Sequence, residues 1–198
     1  MKTVVVMLKE PRAGRVKTRL GRDIGMTSAA WWFRHQTRQL LRRIEDPRWR
    51  LIIAVTPDFE GLASRIWPPH IARVPQGRGN LGDRMGRIFR MPIFGPLCII
   101  GADIPGVESQ IIWRAFRELG NHDAVFGPSP DGGYWLIGMR RNKPIPRRLF
   151  EGVRWSSAQA LTDTVATLPG HRIALVRHLR DVDTAADLAM TSPRPRDT

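Results

Sequence analysis

Short apolar runs alternate along the chain with segments of helical periodicity, and this alternation constrains the fold more than any single motif. The runs predict strands at residues 3–8, 51–55, 71–74, 97–101, 123–127, 134–138 and 173–176. The helical patterns lie around residues 28–44, 60–66, 85–89, 109–119, 156–167 and 185–190. Strands that alternate with helices favour an α/β fold, here a single-domain three-layer sandwich with a mostly parallel central sheet.

The length of 198 residues predicts one domain over residues 1–190, and the Ser-, Pro- and Arg-rich composition of 191–198 predicts a disordered tail. No apolar run approaches the roughly 18 residues of a membrane helix, and the N-terminus lacks a signal-peptide pattern. We therefore expect a cytoplasmic protein without a membrane partner. Cys98, the single cysteine, lies in an apolar run and is predicted to be a core residue.

The formal net charge of +14 raises nucleic acid as a partner. Arginines carry almost all of this charge, and they are scattered along the chain rather than gathered in a tail or on one helix. A compositional bias of the host explains this distribution as well as a nucleic-acid footprint does. We therefore expect no nucleic-acid partner, and the sequence does not define the oligomeric state.

A loop with five cationic side chains follows the first predicted strand: Lys9, Arg12, Arg15, Lys17 and Arg19. In an α/β sheet, ligands bind in the crevice at the carboxyl ends of the strands. Arginine and lysine clustered there suit the phosphates of a nucleotide, whereas the alternative is a solvated basic loop. The position of the loop, shaped by a proline and a glycine at 11 and 14, favours phosphate binding.

Acidic residues follow two later strands. Asp103 comes directly after the run 97–101, where a carboxylate beside a phosphate site is unfavourable unless Mg²⁺ bridges them. The alternative is that Asp103 caps a turn or pairs with an arginine. In the cluster at 181–187, Asp183 is the better candidate for a second metal ligand, while Asp187 is predicted to be structural because it lies three residues after a helix-capping Thr184.

Two glycine-rich segments are weaker signals. In the turn at 127–138, Gly132 and Gly133 would leave amide groups free for a ligand and Asp131 suits a hydroxyl or an amine, although a plain hairpin turn also needs glycines. The segment 76–85 is neither a Walker loop nor a dinucleotide fingerprint. The wider region 128–155 interrupts the strand–helix alternation and is predicted to be an insertion over the sheet, a usual place for a substrate lid.

The combination of motifs is more specific than any one of them. It runs Lys9-x-Pro11-x-x-Gly14-x-Val16-Lys17-Thr18-Arg19-Leu20, Asn80-Leu81-Gly82-x-Arg84-Met85, Gly101-Ala102-Asp103, Asp131-Gly132-Gly133-Tyr134, Trp155-Ser156-Ser157 and Asp181-Val182-Asp183-Thr184. This order resembles the DUF2064 family of nucleotide-diphospho-sugar transferase-like proteins, commonly labelled glycosyltransferases. It resembles more distantly the molybdenum-cofactor guanylyltransferases and the phospholactate guanylyltransferases.

The resemblance implies a GT-A-like fold that binds a nucleotide or nucleotide-sugar and a small acceptor, with Mg²⁺ or Mn²⁺ held by Asp103 and Asp183. It implies catalytic roles for Asp103, Lys17 and Asp183. It implies nucleotide or phosphate contacts from Lys9, Pro11, Gly14, Arg15, Lys17, Thr18 and Arg19. We expect such contacts also from Asn80, Gly82 and Arg84, because the amides of the glycine-rich segment could bind an anion or a base edge. We also expect acceptor or sugar contacts from Asp131, Gly132, Gly133, Tyr134, Trp155 and Ser156.

The residues at the end of the fourth strand bear on the reaction. Sugar transferases of this fold usually hold the metal with Asp-x-Asp, but here the residue two before Asp103 is Gly101. Together with the basic loop, this favours nucleotidyl transfer from a nucleoside triphosphate to a small phosphorylated acceptor. The alternatives are a glycosyltransferase with a nucleotide-diphospho-sugar donor and a non-catalytic nucleotide- or nucleic-acid-binding protein.

Overall fold

A seven-stranded sheet forms the centre of the computed structural model, which describes residues 1–191. The strands are β1 (Lys2–Lys9), β2 (Trp49–Thr56), β3 (Ala72–Pro75), β4 (Leu97–Gly101), β5 (Ala124–Pro128), β6 (Tyr134–Met139) and β7 (Ile173–Leu175). Their order is β3-β2-β1-β4-β6-β5-β7, and β6 alone runs antiparallel to its neighbours. The expected α/β fold with a mostly parallel sheet is confirmed.

Helices cover both faces of the sheet. They are α1 (Thr18–Ile24), α2 (Met26–Ile44), α3 (Asp58–Ala63), α4 (Leu81–Phe89), α5 (Ser109–Glu118), α6 (Ala160–Ala166) and α7 (Ala185–Thr191). Because side chains alternate along a strand, Val4 and Val6 of β1 join one core cluster and Val5 joins the cluster on the other face. Cys98 is fully buried, as expected of a core residue.

Three local expectations need correction. The basic loop ends earlier than predicted, because α1 begins at Thr18. The helix expected at 156–167 covers only Ala160–Ala166. The region 128–155 is not an insertion over the sheet, since it contains β6, which is hydrogen-bonded between β4 and β5, and since Phe150 is buried in the core.

The carboxyl ends of β1, β2, β4, β5 and β7 lie at one edge of the sheet, and β6 begins there. Loops that follow these strands are therefore brought together, although they are far apart in sequence. The expected tail at 192–198 lies outside the described residues. Within the described part of the chain, no helix has the length and apolar character needed to cross a membrane.

Candidate active site

A cleft of about 580 Å³ opens at the carboxyl edge of the sheet. Most of the residues singled out from the sequence line it: Lys9, Arg15, Lys17, Thr18, Arg19, Arg84, Asp103, Asp131, Gly133, Tyr134, Trp155, Ser156 and Asp183. The residues that do not line it are Pro11, Gly14, Asn80, Gly82 and Gly132. The fold therefore brings the ends of the basic loop, the acidic residues that follow the strands, and the aromatic residues Tyr134 and Trp155 around the same cleft.

Lys17 holds the basic loop against the acidic strand ends. It is the residue before α1, with a left-handed backbone (φ 47°, ψ 47°) that is uncommon outside glycine, and its side chain is 6% exposed. Its Nζ lies 2.5 Å from Oδ2 of Asp103 and 2.7 Å from Oδ1 of Asp183. The backbone conformation aims a long cation into the cleft, where two carboxylates fix it.

The charge of Lys17 is stabilised by these partners. Burial lowers the pKa of the ammonium, but the attraction of Asp103 and the hydrogen bonds to Asp103 and Asp183 outweigh burial and raise the pKa above its ordinary value. Arg19 adds a third contact, with Nη1 3.1 Å from Oδ2 of Asp183, but its side chain is largely exposed and the pair is correspondingly weak.

Three carboxylates meet beside Lys17. One oxygen from each of Asp103, Asp181 and Asp183 lies within 4.8 Å of the other two. The loop after β7 is tied to the end of β4 because the amide of Val182 donates to the carbonyl of Asp103 at 3.3 Å. An all-oxygen donor set of this kind fits Mg²⁺ or Mn²⁺, which bind through carboxylates and substrate phosphates.

Asp181 is the member of this cluster that sequence reasoning did not select. Among the described residues its carboxylate has no ion pair within 4 Å, whereas Asp103 and Asp183 both contact Lys17. Burial, with further contributions from the charges of Asp103 and Asp183, raises the pKa of Asp181 to about 6. A desolvated carboxylate without its own cation supports the fit of a divalent metal. The sequence signal for Asp181 was its position two residues before Asp183, because residues at that spacing point to the same side of an extended segment.

Asp187 has the structural role expected from the sequence. Its Oδ2 accepts from the Thr184 amide at 3.0 Å and from the Thr184 hydroxyl at 2.7 Å. The Thr184 hydroxyl oxygen in turn lies 3.3 Å from the Asp187 amide, which completes a capping box at the start of α7. Asp187 also accepts from the Asp183 amide at 3.2 Å, and this contact fixes the backbone that carries the acid cluster.

The remaining cations of the basic loop are less constrained. Arg12 and Arg15 share Glu60 of α3, at 3.3 and 3.7 Å. Lys9 has no ion-pair partner within 4 Å among the described residues, and it is exposed at the end of β1. Arg84 donates from Nε to the carbonyl of Gly79 at 3.0 Å. Of these residues, Lys9, Arg15 and Arg84 line the cleft and bring positive charge to it.

The start of α4 is built by residues for which the sequence suggested nucleotide contacts. Asn80 caps the helix in a capping box with Asp83. Gly82 is buried, and a Cβ there would lie 2.7 Å from Phe150 and 2.8 Å from the ring of Trp155. Both residues thus position α4 and Trp155, and their contacts with a nucleotide stay predictions.

The turn between β5 and β6 differs from expectation in one respect. The Gly132 amide donates to the carbonyl of Ser129 at 3.2 Å, and the Gly133 amide donates to Oδ1 of Asp131 at 3.0 Å. These amides are therefore engaged inside the turn rather than free for a ligand. Gly132 has φ +83°, and a Cβ there would clash with the Ala158 backbone, so the turn requires glycine.

The sheet, with the basic loop and the three clustered carboxylates at its carboxyl edge, defines a GT-A-like α/β protein. The chain belongs to the DUF2064 family, described as an uncharacterized protein conserved in bacteria, whose sequence profile matches residues 39–157. The family and fold inferred from the sequence motifs are thus confirmed.

Solved structures agree with this assignment. A Desulfovibrio desulfuricans G20 protein, provisionally named a nucleotide-diphospho-sugar transferase, is 28% identical, with a TM-score of 0.85 over 100% of this chain and 88% of that one. The 4-diphosphocytidyl-2C-methyl-D-erythritol synthase of Anaerococcus prevotii DSM 20548 is 10% identical, with a TM-score of 0.60 over 96% and 95% of the two chains.

A third structure is Rv0371C of Mycobacterium tuberculosis H37Rv in complex with manganese. It is 16% identical, with a TM-score of 0.53, and 96% of each chain is covered. At their low sequence identities, this protein and the Anaerococcus synthase establish the likeness of fold. No curated protein matches the chain.

Proposed function

We propose that this protein is a divalent-metal-dependent nucleotidyltransferase that uses a nucleoside triphosphate and a small phosphorylated acceptor. The observation that carries the proposal is the contact of Lys17 with both Asp103 and Asp183, which joins a cationic loop to a carboxylate cluster in one cleft. Positive charge beside metal-binding acids is the arrangement needed to stabilise a leaving pyrophosphate. Gly101, which stands where sugar transferases of this fold often carry a second acid, also supports this reaction.

In this reaction an oxygen of the acceptor phosphate forms a bond to the α-phosphorus, and the bond from that phosphorus to the bridging oxygen of the β-phosphate breaks. Pyrophosphate leaves with the electron pair of that bond. Lys9, Arg15 and Arg19 line the cleft and would bind the β- and γ-phosphates, and Lys17 would stabilise the negative charge that develops on the leaving group. Asp103, Asp181 and Asp183 would hold the metal, which supplies Lewis-acid charge when bound.

A glycosyltransferase that uses a nucleotide-diphospho-sugar donor is the second candidate. The relative from Desulfovibrio desulfuricans G20, with 28% identity and a TM-score of 0.85, carries a name of that class. The same carboxylate cluster could hold a metal on the diphosphate of such a donor. The two reactions differ in their leaving groups, which are pyrophosphate for one and a nucleoside diphosphate for the other.

The leaving group provides the test. The protein is incubated with Mg²⁺ or Mn²⁺, each of the four nucleoside triphosphates and a pool of phosphorylated small molecules, and pyrophosphate is measured. A parallel set replaces the triphosphates with nucleotide sugars, and nucleoside diphosphate is measured. We expect pyrophosphate from at least one triphosphate and little turnover of nucleotide sugars.

The Asp103→Asn variant serves as the control for contaminating activity, and it is expected to release no pyrophosphate. Release of nucleoside diphosphate alone would assign the protein as a glycosyltransferase. Tight DNA binding that weakens steeply with salt, without either turnover, would contradict both enzymes and support a binding protein.

A further inference from the structure

The cleft has an apolar floor in addition to its charged end. Met7 of β1, Ile99 of β4 and Ile137 of β6 belong to three neighbouring strands, contribute to the same core cluster and line the cleft. Ile99 and Ile137 are directly paired across β4 and β6. The cleft that holds the charged residues is therefore also lined by one thioether and two aliphatic side chains.

The walls above this floor are apolar as well. One part of the wall is formed by Leu81, the first residue of α4, which is 44% exposed, and by Met85 one turn later. Trp155 lies against Gly82 of the same helix, and its ring centroid is 6.5 Å from that of Tyr134, with an interplanar angle of 67°. We call this half of the cleft, from the floor to these walls, the apolar chamber.

Tyr134 presents its ring to the cleft rather than its hydroxyl group. The hydroxyl of Tyr134 lies 3.3 Å from Oγ1 of the fully buried Thr164, so it is directed away from the cleft and towards α6. Trp155 is backed by Phe150, at 5.9 Å between ring centroids, and by Gly82, which leaves no room even for a Cβ. The indole is thus held in place as a rigid surface for a ligand.

Charged groups also line the cleft. Arg84 lies between Leu81 and Met85 on α4, and its Nε donates to the carbonyl of Gly79. Lys17, Asp103 and the exposed Asp131 line the cleft as well. A small polar acceptor would find few hydrogen-bonding partners against the chamber walls and would leave Leu81 exposed to water. An acceptor with one anionic end and one apolar end would satisfy both halves of the cleft.

We propose that the second substrate is the phosphomonoester of an apolar alcohol, with its hydrocarbon body in the apolar chamber against Trp155 and its phosphate towards Lys17. This inference rests on the proposed function, because it names the class of acceptor in that transfer. The acceptor phosphate supplies the attacking oxygen in the step described above, and its hydrocarbon part takes no part in the chemistry. Trp155 and Leu81 act here as specificity-determining residues.

The test compares two monophosphates of similar charge by calorimetry, namely phenyl phosphate and glycerol 3-phosphate, each with Mn²⁺ and the full-length protein. We expect phenyl phosphate to bind about tenfold more tightly, because the chamber removes its apolar surface from water. Trp155→Ala is expected to abolish this preference while the affinity for glycerol 3-phosphate stays within about twofold. Trp31→Ala, which alters a tryptophan 68% exposed on α2, is the matched control and is expected to keep the preference.

A second variant guards against loss of folding, since Trp155 packs on Phe150 and Gly82. Leu81→Ser changes a half-exposed side chain at the rim and should lower the affinity for phenyl phosphate several-fold without unfolding the protein. Equal affinities of the wild type for the two phosphates would overturn the inference. So would a loss of triphosphate affinity in Trp155→Ala as large as the loss for phenyl phosphate, because Trp155 would then stack on the base.

Two further measurements distinguish a failure of this inference from a failure of the proposed function. Triphosphate binding and pyrophosphate release are measured on the same preparation. If no triphosphate binds and phenyl phosphate still shows its Trp155-dependent preference, the proposed function fails and the ligand class of the chamber stands. If triphosphate binds and turns over but the preference is absent, the inference fails alone.

Discussion

The Nζ of Lys17 lies 2.5 Å from Oδ2 of Asp103, although the two residues come from the loop after β1 and the end of β4. This contact places a cation of the basic loop beside the carboxylate cluster. It means that the triphosphate and the metal would be recognised by groups that already contact each other.

Lys17→Ala should weaken triphosphate binding while affinity for the free nucleoside changes little. A charge-assisted contact is worth about 1.5–3 kcal/mol, which corresponds to roughly 10- to 150-fold in affinity. Calorimetry with a triphosphate and its nucleoside measures the difference. Arg22→Ala, which removes an exposed cation from α1, is the matched control. Equal losses for the two ligands would indicate that Lys17 supports the fold or the base site instead.

Asp103→Asn should remove high-affinity Mn²⁺ binding and turnover while the protein stays folded. An amide keeps the shape of the side chain but supplies no negative charge to the cluster with Asp181 and Asp183. Mn²⁺ titration followed by electron paramagnetic resonance measures the affinity, and circular dichroism checks folding. Glu151→Gln, at a side chain 66% exposed, is the control. Unchanged Mn²⁺ affinity would place the metal elsewhere.

Asp181→Asn should stabilise the metal-free protein at neutral pH. Because the folded-state pKa of Asp181 is raised from 3.8 to about 6, ionisation costs stability as the pH rises through that range. The gain should be small at pH 4 and reach about 1–3 kcal/mol above pH 7. Denaturant unfolding without metal, from pH 4 to pH 8, gives the difference. A gain of constant size over this range would be inconsistent with the titration of Asp181.

Added Mn²⁺ should oppose this stabilisation by Asp181→Asn. A divalent cation stabilises the ionised carboxylates, so at pH 7.5 it should raise the melting temperature of the wild type more than that of Asp181→Asn. A thermal-shift titration with Mn²⁺ measures both proteins. Equal shifts would show that Asp181 is not a ligand.

Asp131→Ala should raise the KM for the acceptor and leave nucleotide affinity nearly unchanged, because Asp131 lines the cleft at the turn between β5 and β6. This carboxylate also accepts from the Gly133 amide, so alanine removes a turn contact as well as a charge. Asp131→Asn keeps an oxygen for that amide and separates the two effects. A normal KM in Asp131→Asn with a raised one in Asp131→Ala would assign Asp131 to the turn.

Local patterns in the chain predict the strands well. A run such as 97–101 is apolar on both faces, and its observed bounds, Leu97–Gly101, match the expectation. Helix α1 was missed because its seven residues include only Leu20 as a buried large apolar side chain. A helix so short gains its stability from packing, here of Leu20 against Ala29 and Val182, which local propensity does not contain.

The sequence was sufficient to indicate the family, the α/β class and most of the residues around the cleft, because apolar periodicity and motif order are local properties. The tertiary structure alone decided how those residues meet. Lys17 and Asp183 are 166 positions apart, and only the shared carboxyl edge of the mostly parallel sheet brings them to 2.7 Å. The same is true of Asp181, whose raised pKa depends on burial and on carboxylates from two loops, and of the Gly132 and Gly133 amides, whose partners are set by the fold of the turn.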